Sequence, residues 1–254
     1  MTPPRLRIDP ADGKLKGAAA ITYNTPWPTK DGTQGGFGTA LGGVIHTEVG
    51  FEHSVIDEFN NPAAQASAFF SISMTGAIHQ YGPLGKNWAA WTQVAGNHNY
   101  RGVEHEDQGD PNRPLTPVQL AASAQVFEAM SAFDGWPLKA CDNPNGGRGI
   151  LFHADGGAAW GGHDCPGPVR ERQRPALIAL ARQIRAGTPD LIHLVTSGTE
   201  SLVELAAERK VKPRVLLRHN GGPSRPYPKG LGDYVDAGNL KAPMPKGIRL
   251  RVPS

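Results

Sequence analysis

Two histidines and a cysteine stand where they could hold a metal ion together. His46 lies near the end of the apolar run 43–47, and His153 ends the run 149–153; Cys165 follows twelve residues later, directly before Pro-Gly. Zinc catalysis uses three such donors and leaves one position open for water. Because neighbouring strands in a sheet would hold both imidazoles rigidly, these residues predict a catalytic zinc site.

His163 offers an alternative third ligand, since it lies ten residues after His153. We prefer Cys165, because a thiolate binds zinc strongly and the following Pro-Gly would hold its loop against the metal. The imidazole of His163 would then be free to donate to an oxyanion or to protonate a leaving group. The spacing alone allows either ligand. It also leaves open a disulfide between Cys141 and Cys165, which would consume the thiolate.

A hydrolytic site also needs a base, and Glu104 is the candidate. It follows small and apolar residues in a strand-like setting, where partial burial would raise the pKa of its carboxyl group. We expect Glu106 and Asp107 to belong to a solvated face instead. A zinc-dependent base deaminase is disfavoured, because that class needs Pro-Cys-x-x-Cys and no second cysteine lies near Cys165.

The elements that must position these side chains alternate between strands and helices. Apolar runs bounded by turn residues predict strands at 43–47, 68–74, 77–81 and 149–153. Thr75-Gly76 suits a tight hairpin turn between the second and third runs, because glycine accepts the positive φ that such turns require. Together with the helices described next, this order predicts an α/β sheet domain.

Two helices are predicted within the sheet domain. Thr116 as N-cap, Pro117 in the first turn and Gln119 in a capping box mark the start of the first helix, which stops before Gly135. Its core-facing stripe is predicted to be Val118, Ala122, Val126, Met130 and Phe133. The second helix spans about 175–186, with a stripe made of Leu177, Leu180, Ala181 and Ile184.

The chain is expected to contain two domains. Residues 1–188 form the sheet domain, in which residues 1–40 lack periodicity and are interpreted as a loop-rich lead-in without chemistry. Residues 189–254 start afresh with a strand at 191–196, helices at 200–208 and 215–219, and a strand at 247–253. This order predicts a small βααβ module.

Composition excludes several classes of protein. The 254 residues are 39% hydrophobic and carry a net charge of +3 without a basic block, which argues for a globular chain and against a nucleic-acid partner. No apolar run is long enough to span a membrane, so we expect no membrane insertion. Two cysteines do not make a disulfide framework. We expect a monomer. Because the first residues lack a signal-peptide core, we also expect the protein to be made in the cytoplasm.

Four segments in order, residues 43–47, Gly102-Val103-Glu104, 115–119 and 153–167, resemble the motifs of zinc-dependent N-acetylmuramoyl-L-alanine amidases. This family includes phage lysozyme-like amidases and is similar to peptidoglycan recognition proteins. The resemblance spans about residues 40–185. It implies a mixed central β-sheet flanked by helices and an enzyme that hydrolyses bacterial peptidoglycan between N-acetylmuramic acid and L-alanine.

The resemblance also implies roles for individual residues. The zinc ligands fall on His46, His153 and Cys165, since the last ligand of the family precedes Pro-Gly. The acidic catalytic residue falls on Glu104. His163 takes the place of a catalytic Lys, Thr or His two residues before the last ligand.

The chain departs from the family at one strand. Some members carry a catalytic Tyr and a His there, and this chain has Ala68 and Phe69, which puts a Tyr-dependent mechanism in doubt. Aromatic faces and amides suit sugar and peptide, and on that ground we predict four groove residues, with at least one of the tryptophans in the core. These residues are Trp88, Trp91, Asn97 and Asn99.

The C-terminal module resembles a LysM peptidoglycan-binding domain through residues 198–206, 216–220 and 245–253. A plain helical cap is the alternative. A wall-binding module without a signal peptide favours a phage or prophage endolysin, released to the cell wall by a holin, over a bacterial enzyme exported by another route. Two rivals remain: a peptidoglycan-binding protein without catalysis, and a structural metal site closed by a fourth protein ligand.

Overall fold

A mixed β-sheet lies at the centre of the larger of two units, Pro4–Arg185. The computed structural model describes residues 5–17, 21–23, 36–61, 63–85, 88–187, 190–194, 201–208, 241, 244 and 249–253. The strands of this unit are, in chain order, β1 (Arg7–Ile8), β2 (Leu15–Lys16), β3 (Ile21–Tyr23), β4 (Gly42–Ile45), β5 (Phe70–Ile72), β6 (Ile78–Gln80), β7 (Tyr100–His105) and β8 (Gly149–Phe152).

The sheet has the strand order β3-β6-β5-β7-β4-β8. Among the described strands, β5 and β6 run antiparallel and all other neighbours in the sheet run parallel. Ile45 of β4 pairs with both Val103 of β7 and Phe152 of β8. The residues that follow these three, His46, Glu104 and His153, therefore lie level with one another at the carboxyl edge of the sheet.

The four predicted strands and the hairpin are confirmed, as is the mixed sheet flanked by helices. Each observed strand is one to four residues shorter than its apolar run, so that His46 and His153 come directly after β4 and β8. The turn between β5 and β6 has Gly76 at φ 83°, and the Gly76 N–H donates to the Ser73 carbonyl oxygen at 2.9 Å. Strand β7, which carries Glu104, lies between β5 and β4.

The helices of this unit are α1 (Glu52–Asn60), α2 (Pro117–Asp134), α3 (Pro168–Glu171) and α4 (Arg174–Arg185). The predicted ends of α2 are confirmed: the Gln119 N–H donates to Thr116 Oγ1 at 3.1 Å, and Gly135 caps the carboxyl end at φ 75°. The stripe of α4 is confirmed as well, with three of its residues buried and Ile184 packed against the core.

The stripe of α2 is confirmed except at its first residue. Ala122, Val126 and Met130 are buried, and Phe133 packs against them, but Val118 is 40% exposed. Val118 lies in the first turn of α2, next to the hairpin turn at Gly76.

The first forty residues contribute more than the expected loop-rich lead-in. β1 and β2 form a small antiparallel hairpin, and β3 is an edge strand of the central sheet. Leu6, Ile8 and Leu15 are buried in the main core, and Arg5 forms an ion pair with the buried Glu128. Strands of two or three residues are too short to show a periodicity, which explains why the sequence did not reveal them.

The second unit is built mainly from Ala186–Ser254. Its described elements are β9 (Asp190–Leu194), α5 (Leu202–Glu208) and β10 (Arg249–Pro253), and β9 pairs antiparallel with β10. They lie where the sequence predicts a strand, a helix and a closing strand. The helix predicted at 215–219 falls outside the described residues. Within the described parts of both units, no helix is long and apolar enough to cross a membrane.

Candidate metal centre

The side chains of His46, His153 and Cys165 converge at the carboxyl edge of the sheet. One potential ligand atom from each residue lies within 4.8 Å of the other two. His46 Nδ1 is 3.8 Å from Cys165 Sγ, and the two imidazole centroids are 4.7 Å apart. Cys141 and Cys165 are both free thiols, so the disulfide that the sequence left open is not formed.

Hydrogen bonds orient both imidazoles. His46 Nε2 lies 3.2 Å from Gln93 Oε1, and His153 Nε2 lies 2.6 Å from the Trp160 carbonyl oxygen. Because both partners accept, each Nε2 carries the hydrogen and each Nδ1 keeps a lone pair for a metal. Burial lowers the pKa of both histidines, well below the usual value for His46, which keeps the rings neutral as ligation requires.

Cys165 completes a donor set that fits zinc. Burial raises the pKa of its thiol, and the Thr47 N–H donates to Sγ at 3.2 Å. A cation at this place would offset that rise, because a coordinating thiol loses its proton. Two imidazole nitrogens and one sulfur are the ligands that zinc takes in sites with an open fourth position.

Glu104 lies beside these donors. Its Oε1 is 3.8 Å from His46 Nδ1, and its side chain is 15% exposed. Burial raises the pKa of the Glu104 carboxyl group to about 8, with the positive charge of Arg170 opposing the rise. Oε2 is buried and accepts no hydrogen bond from any residue that the structure describes. The carboxyl group is therefore partly desolvated, and its raised pKa is typical of residues at functional sites.

A cavity of about 360 Å³ opens next to Glu104. Glu48 also lines the cavity, and both of its carboxylate oxygens are buried without a hydrogen-bond partner in the described part of the chain. Burial, reinforced by the nearby Glu104, raises the pKa of Glu48 to about 9. The remaining lining residues are Thr47, Ser54, Val55, Glu58, Phe59 and Ala66.

Replacing Glu48 with glutamine is expected to stabilise the metal-free protein at alkaline pH. The Glu48 carboxyl keeps its proton up to about pH 9 in the fold but loses it near 4.5 in the unfolded chain. The unfolded state therefore binds fewer protons between these values, and the free energy of unfolding falls as the pH rises. Glutamine does not titrate, so this slope should flatten.

Thermal unfolding of Glu48→Gln and of the unchanged protein, at about pH 5 and about pH 8, measures this effect. Glu58→Gln is the matched control, since Glu58 lines the same cavity but is exposed. A difference between the proteins that is the same at both pH values would contradict the burial of an unpaired Glu48 carboxyl.

His163 lies at the rim of the centre. Its imidazole is exposed, and its ring centroid is 4.8 Å from that of His153. Gly161 and Gly162, which precede it, both have positive φ, 96° and 71°, and so bend the chain sharply after Trp160. The imidazole of His163 therefore faces solvent next to the cluster.

Two of the four predicted groove residues belong to the protein interior, which corrects their interpretation. Trp88 is 8% exposed and packs edge-on against Phe69, with centroids 4.7 Å apart. Asn97 is 4% exposed, and its Oδ1 accepts from the backbone N–H groups of Thr92 and Gln93 at 2.9 and 2.7 Å. The core placement expected for at least one tryptophan holds for Trp88.

The other two predicted groove residues keep some exposure. Trp91 is half-buried, and its backbone exchanges hydrogen bonds with Ser67. The side-chain amide of Asn99 donates to the Thr39 carbonyl oxygen at 3.0 Å. Their part in substrate binding stays a prediction.

Asp107 and Glu106 are buried, so the expected solvated face is wrong. Asp107 accepts hydrogen bonds from Thr47 Oγ1 and the Gly50 N–H, both at 2.8 Å, and fixes the loop that follows His46. Glu106 accepts from the Met74 N–H at 2.7 Å. Free N–H groups of the surrounding loops supply the partners that these buried carboxylates need, and the linear sequence does not show such partners.

A comparison with known families decides the relationship. The profile of the family described as N-acetylmuramoyl-L-alanine amidase, Amidase_2, matches residues 39–168, which is half of the chain. The chain belongs to the N-acetylmuramoyl-L-alanine amidase family. The matched region contains the three candidate ligands together with Glu104 and His163.

Several solved structures are similar to this chain at low sequence identity. Staphylococcus aureus hydrolase AmiA, in complex with its ligand, is 16% identical with a TM-score of 0.50, over 66% of this chain and 84% of that one. The catalytic domain of XlyA is 18% identical with a TM-score of 0.46, over 63% and 98% of the two chains. LysC of Clostridium intestinale is 16% identical with a TM-score of 0.43, over 67% and 98%. No curated protein matches the sequence.

Proposed function

We propose that this protein is a zinc-dependent amidase that cleaves bacterial peptidoglycan between N-acetylmuramic acid and L-alanine. The convergence of His46, His153 and Cys165 in a chain of this family carries the proposal. A structural zinc would be closed by a fourth protein ligand. Within the described residues the cluster of potential ligands comprises these three alone, which favours a catalytic metal.

Glu104 is the proposed proton acceptor. Bound zinc would supply a Lewis acid that polarises the scissile carbonyl and makes water more acidic. Glu104, 3.8 Å from His46 Nδ1 and at the edge of the cavity, would take the proton of the attacking water and return it to the leaving amine. Burial raises the pKa of this carboxyl group to about 8 in the metal-free protein, and a bound cation would lower it toward neutral pH, where a group can both accept and return a proton.

His163 is the proposed partner of the developing oxyanion. Its exposed imidazole beside His153 can donate a hydrogen bond to that oxygen or a proton to the leaving amine. Ala68 and Phe69 are fully buried and carry no hydroxyl group, so the two positions that match the catalytic Tyr and His of some relatives offer neither side chain here. The proton transfers therefore rest on Glu104 and His163.

Digestion of purified peptidoglycan tests the activity. An amidase creates one new alanine amino terminus per bond cleaved and no new reducing sugar, whereas a glycosidase does the reverse. We expect new alanine termini with the zinc-loaded protein. Binding to peptidoglycan without new termini would support the alternative, a non-catalytic peptidoglycan-recognition protein of the same fold.

We further propose that residues 1–188 form the amidase domain and residues 189–254 a LysM-like wall-binding module. The separate unit with paired β9 and β10 supports this division, and the family match ends before it at residue 168. Tethering through such a module would concentrate the catalytic domain on its polymer.

Truncation after residue 188 is expected to spare hydrolysis of small soluble fragments and to weaken binding to intact cell wall. The reason is that the fragments need the catalytic site alone, while retention on the polymer gains from a second attachment. Co-sedimentation with purified cell wall measures the binding, and turnover of a soluble muropeptide shows that the truncated protein is folded. If the truncated protein sedimented with the cell wall as strongly as the full chain, residues 189–254 would be a plain helical cap on the amidase domain and not a wall-binding module.

The biological setting that we propose is a phage or prophage endolysin, made in the cytoplasm and released to the wall by a holin. The nature of the proposed substrate supports it, because peptidoglycan lies beyond the cytoplasmic membrane. Expression in a bacterium with and without a holin tests the route. Lysis that requires the holin is expected, and lysis without it would favour export by another route.

A further inference from the structure

Gln93 contacts a proposed zinc ligand without belonging to the ligand group. The residue is 1% exposed, and in the chain it directly precedes the short 3₁₀ helix Val94–His98. Its Oε1 lies 3.2 Å from Nε2 of His46, on the side of the imidazole opposite to Cys165. A buried amide in this position can decide which nitrogen of the ring carries the hydrogen.

The orientation of the Gln93 amide follows from its other partners. Its Nε2 donates to the Tyr100 carbonyl oxygen at 2.7 Å and to the Gly96 carbonyl oxygen at 3.3 Å. Carbonyl oxygens only accept hydrogen bonds, so the nitrogen of the amide must face them. The oxygen is thereby directed at His46, and a rotated amide would leave two pairs of acceptors facing each other.

This orientation selects one form of His46. Because Gln93 Oε1 can only accept, His46 Nε2 must carry the hydrogen, and the neutral ring keeps its lone pair on Nδ1. Nδ1 is the atom that lies 3.8 Å from Cys165 Sγ. The other tautomer would point a hydrogen at the metal position and lose the bond to Gln93.

The loop around Gln93 is itself held in place. Asn97 Oδ1 accepts from the Gln93 N–H at 2.7 Å. A Cβ on Gly96 would lie 2.7 Å from the ring of Trp160, and the carbonyl oxygen of Trp160 accepts from His153 Nε2. The loop that carries Gln93 therefore packs against the residue that orients the second histidine.

We propose that Gln93 is a positioning residue that holds His46 as the Nε2–H tautomer and so prepares Nδ1 for the metal. The inference rests on the proposed zinc site and adds a residue outside its ligands. Partners of this kind orient a ligating histidine, and their loss commonly costs about 10- to 100-fold in metal affinity or activity.

Gln93→Leu tests the effect on metal binding, with Gln80→Leu as the matched control. Gln80 is also fully buried, and its amide donates to the Gly13 and Gly82 carbonyl oxygens at 2.9 and 2.8 Å, away from the metal cluster. Competition with a chromophoric chelator gives the zinc affinity. We expect it to fall about 10- to 100-fold in Gln93→Leu and to stay unchanged in Gln80→Leu. Unchanged affinity in folded Gln93→Leu, or equal losses in both variants, overturns the proposal.

A second measurement needs no substitution at Gln93. Long-range ¹H–¹⁵N NMR spectra of the zinc-free protein report which ring nitrogen of His46 is protonated, with the resonance assigned by its absence from His46→Ala. The Nε2–H tautomer is expected, and an Nδ1–H tautomer overturns the proposal. If the protein bound no zinc, the proposed function would fail, while this spectrum would still decide the role of the Gln93 hydrogen bond.

Discussion

Cys165→Ser and His153→Ala are each expected to abolish hydrolysis and to lower zinc affinity by more than about 100-fold, the upper range seen for loss of an outer partner. Cys165 supplies the sulfur and His153 one of the two imidazole nitrogens of the cluster. A serine hydroxyl is a poor replacement, because zinc favours a thiolate over a neutral oxygen. Two donors cannot hold zinc against a chelator as three can.

Cys141→Ser is the matched control for Cys165→Ser. Cys141 is also a free thiol and partly buried, and it lies outside the metal cluster. In Cys141→Ser the zinc content per protein chain should equal that of the unchanged protein, as measured by elemental analysis after dialysis. The release of alanine termini should also be unchanged. Stoichiometric zinc and full turnover in Cys165→Ser would show that another residue, with His163 the first candidate, completes the site.

Glu104→Gln is expected to retain zinc and to lower the turnover number by about 10²- to 10⁴-fold, the usual contribution of a general base. Glutamine keeps the shape of the side chain but cannot accept a proton. A lower rate with unchanged zinc content would distinguish Glu104 from the three ligands, whose loss should lower both. Asp57→Asn, which removes an exposed carboxyl of α1, is the control and should leave both values unchanged.

The pH profile gives a second test of Glu104. Its carboxyl must be ionised to accept a proton, and burial raises its pKa to about 8 in the metal-free protein. The rate should therefore rise with pH until Glu104 is ionised, and a bound cation would shift this rise to lower pH. The residual rate of Glu104→Gln should lack that rise. Full turnover in Glu104→Gln would assign the proton transfer to another group.

Elements with local signals could be predicted from the sequence. The ends of α2 follow from Thr116 and Gly135, which act through hydrogen bonds and backbone conformation within a few residues. The runs before His46 and His153 are apolar because β4 and β8 are buried in a parallel sheet. Because neighbouring parallel strands end at the same edge of a sheet, the sequence could predict that the two histidines lie close together.

Features that depend on distant partners could not be predicted. Asp107 carries a charge that usually lies at the surface, yet it is buried and accepts hydrogen bonds from the Thr47 hydroxyl and the Gly50 N–H, which lie far from it in the sequence. Asn97 has the amide of a ligand-binding residue but binds its own backbone. Gln93 carries no local signal at all, because its importance comes from facing His46, 47 residues earlier in the chain.

The choice between the two candidate third ligands shows the same limit. The spacing from His153 allows both Cys165 and His163, and the cysteine was favoured by the affinity of a thiolate for zinc and by the resemblance. In the structure Cys165 Sγ faces His46 Nδ1, whereas the ring of His163 lies exposed against the far histidine, His153. The direction in which the loop turns after Trp160 decides this, and it depends on tertiary packing.

The coordination sphere of the zinc-loaded protein tests the central claim most directly. X-ray absorption at the zinc edge should show one sulfur at about 2.3 Å, two nitrogens at about 2.0 Å and one further light atom from solvent. In Cys165→Ser the sulfur contribution should disappear, while Cys141→Ser should keep it. A protein without stoichiometric zinc, or a zinc whose sphere lacks sulfur or is closed by a fourth protein ligand, would contradict a catalytic site made of His46, His153 and Cys165.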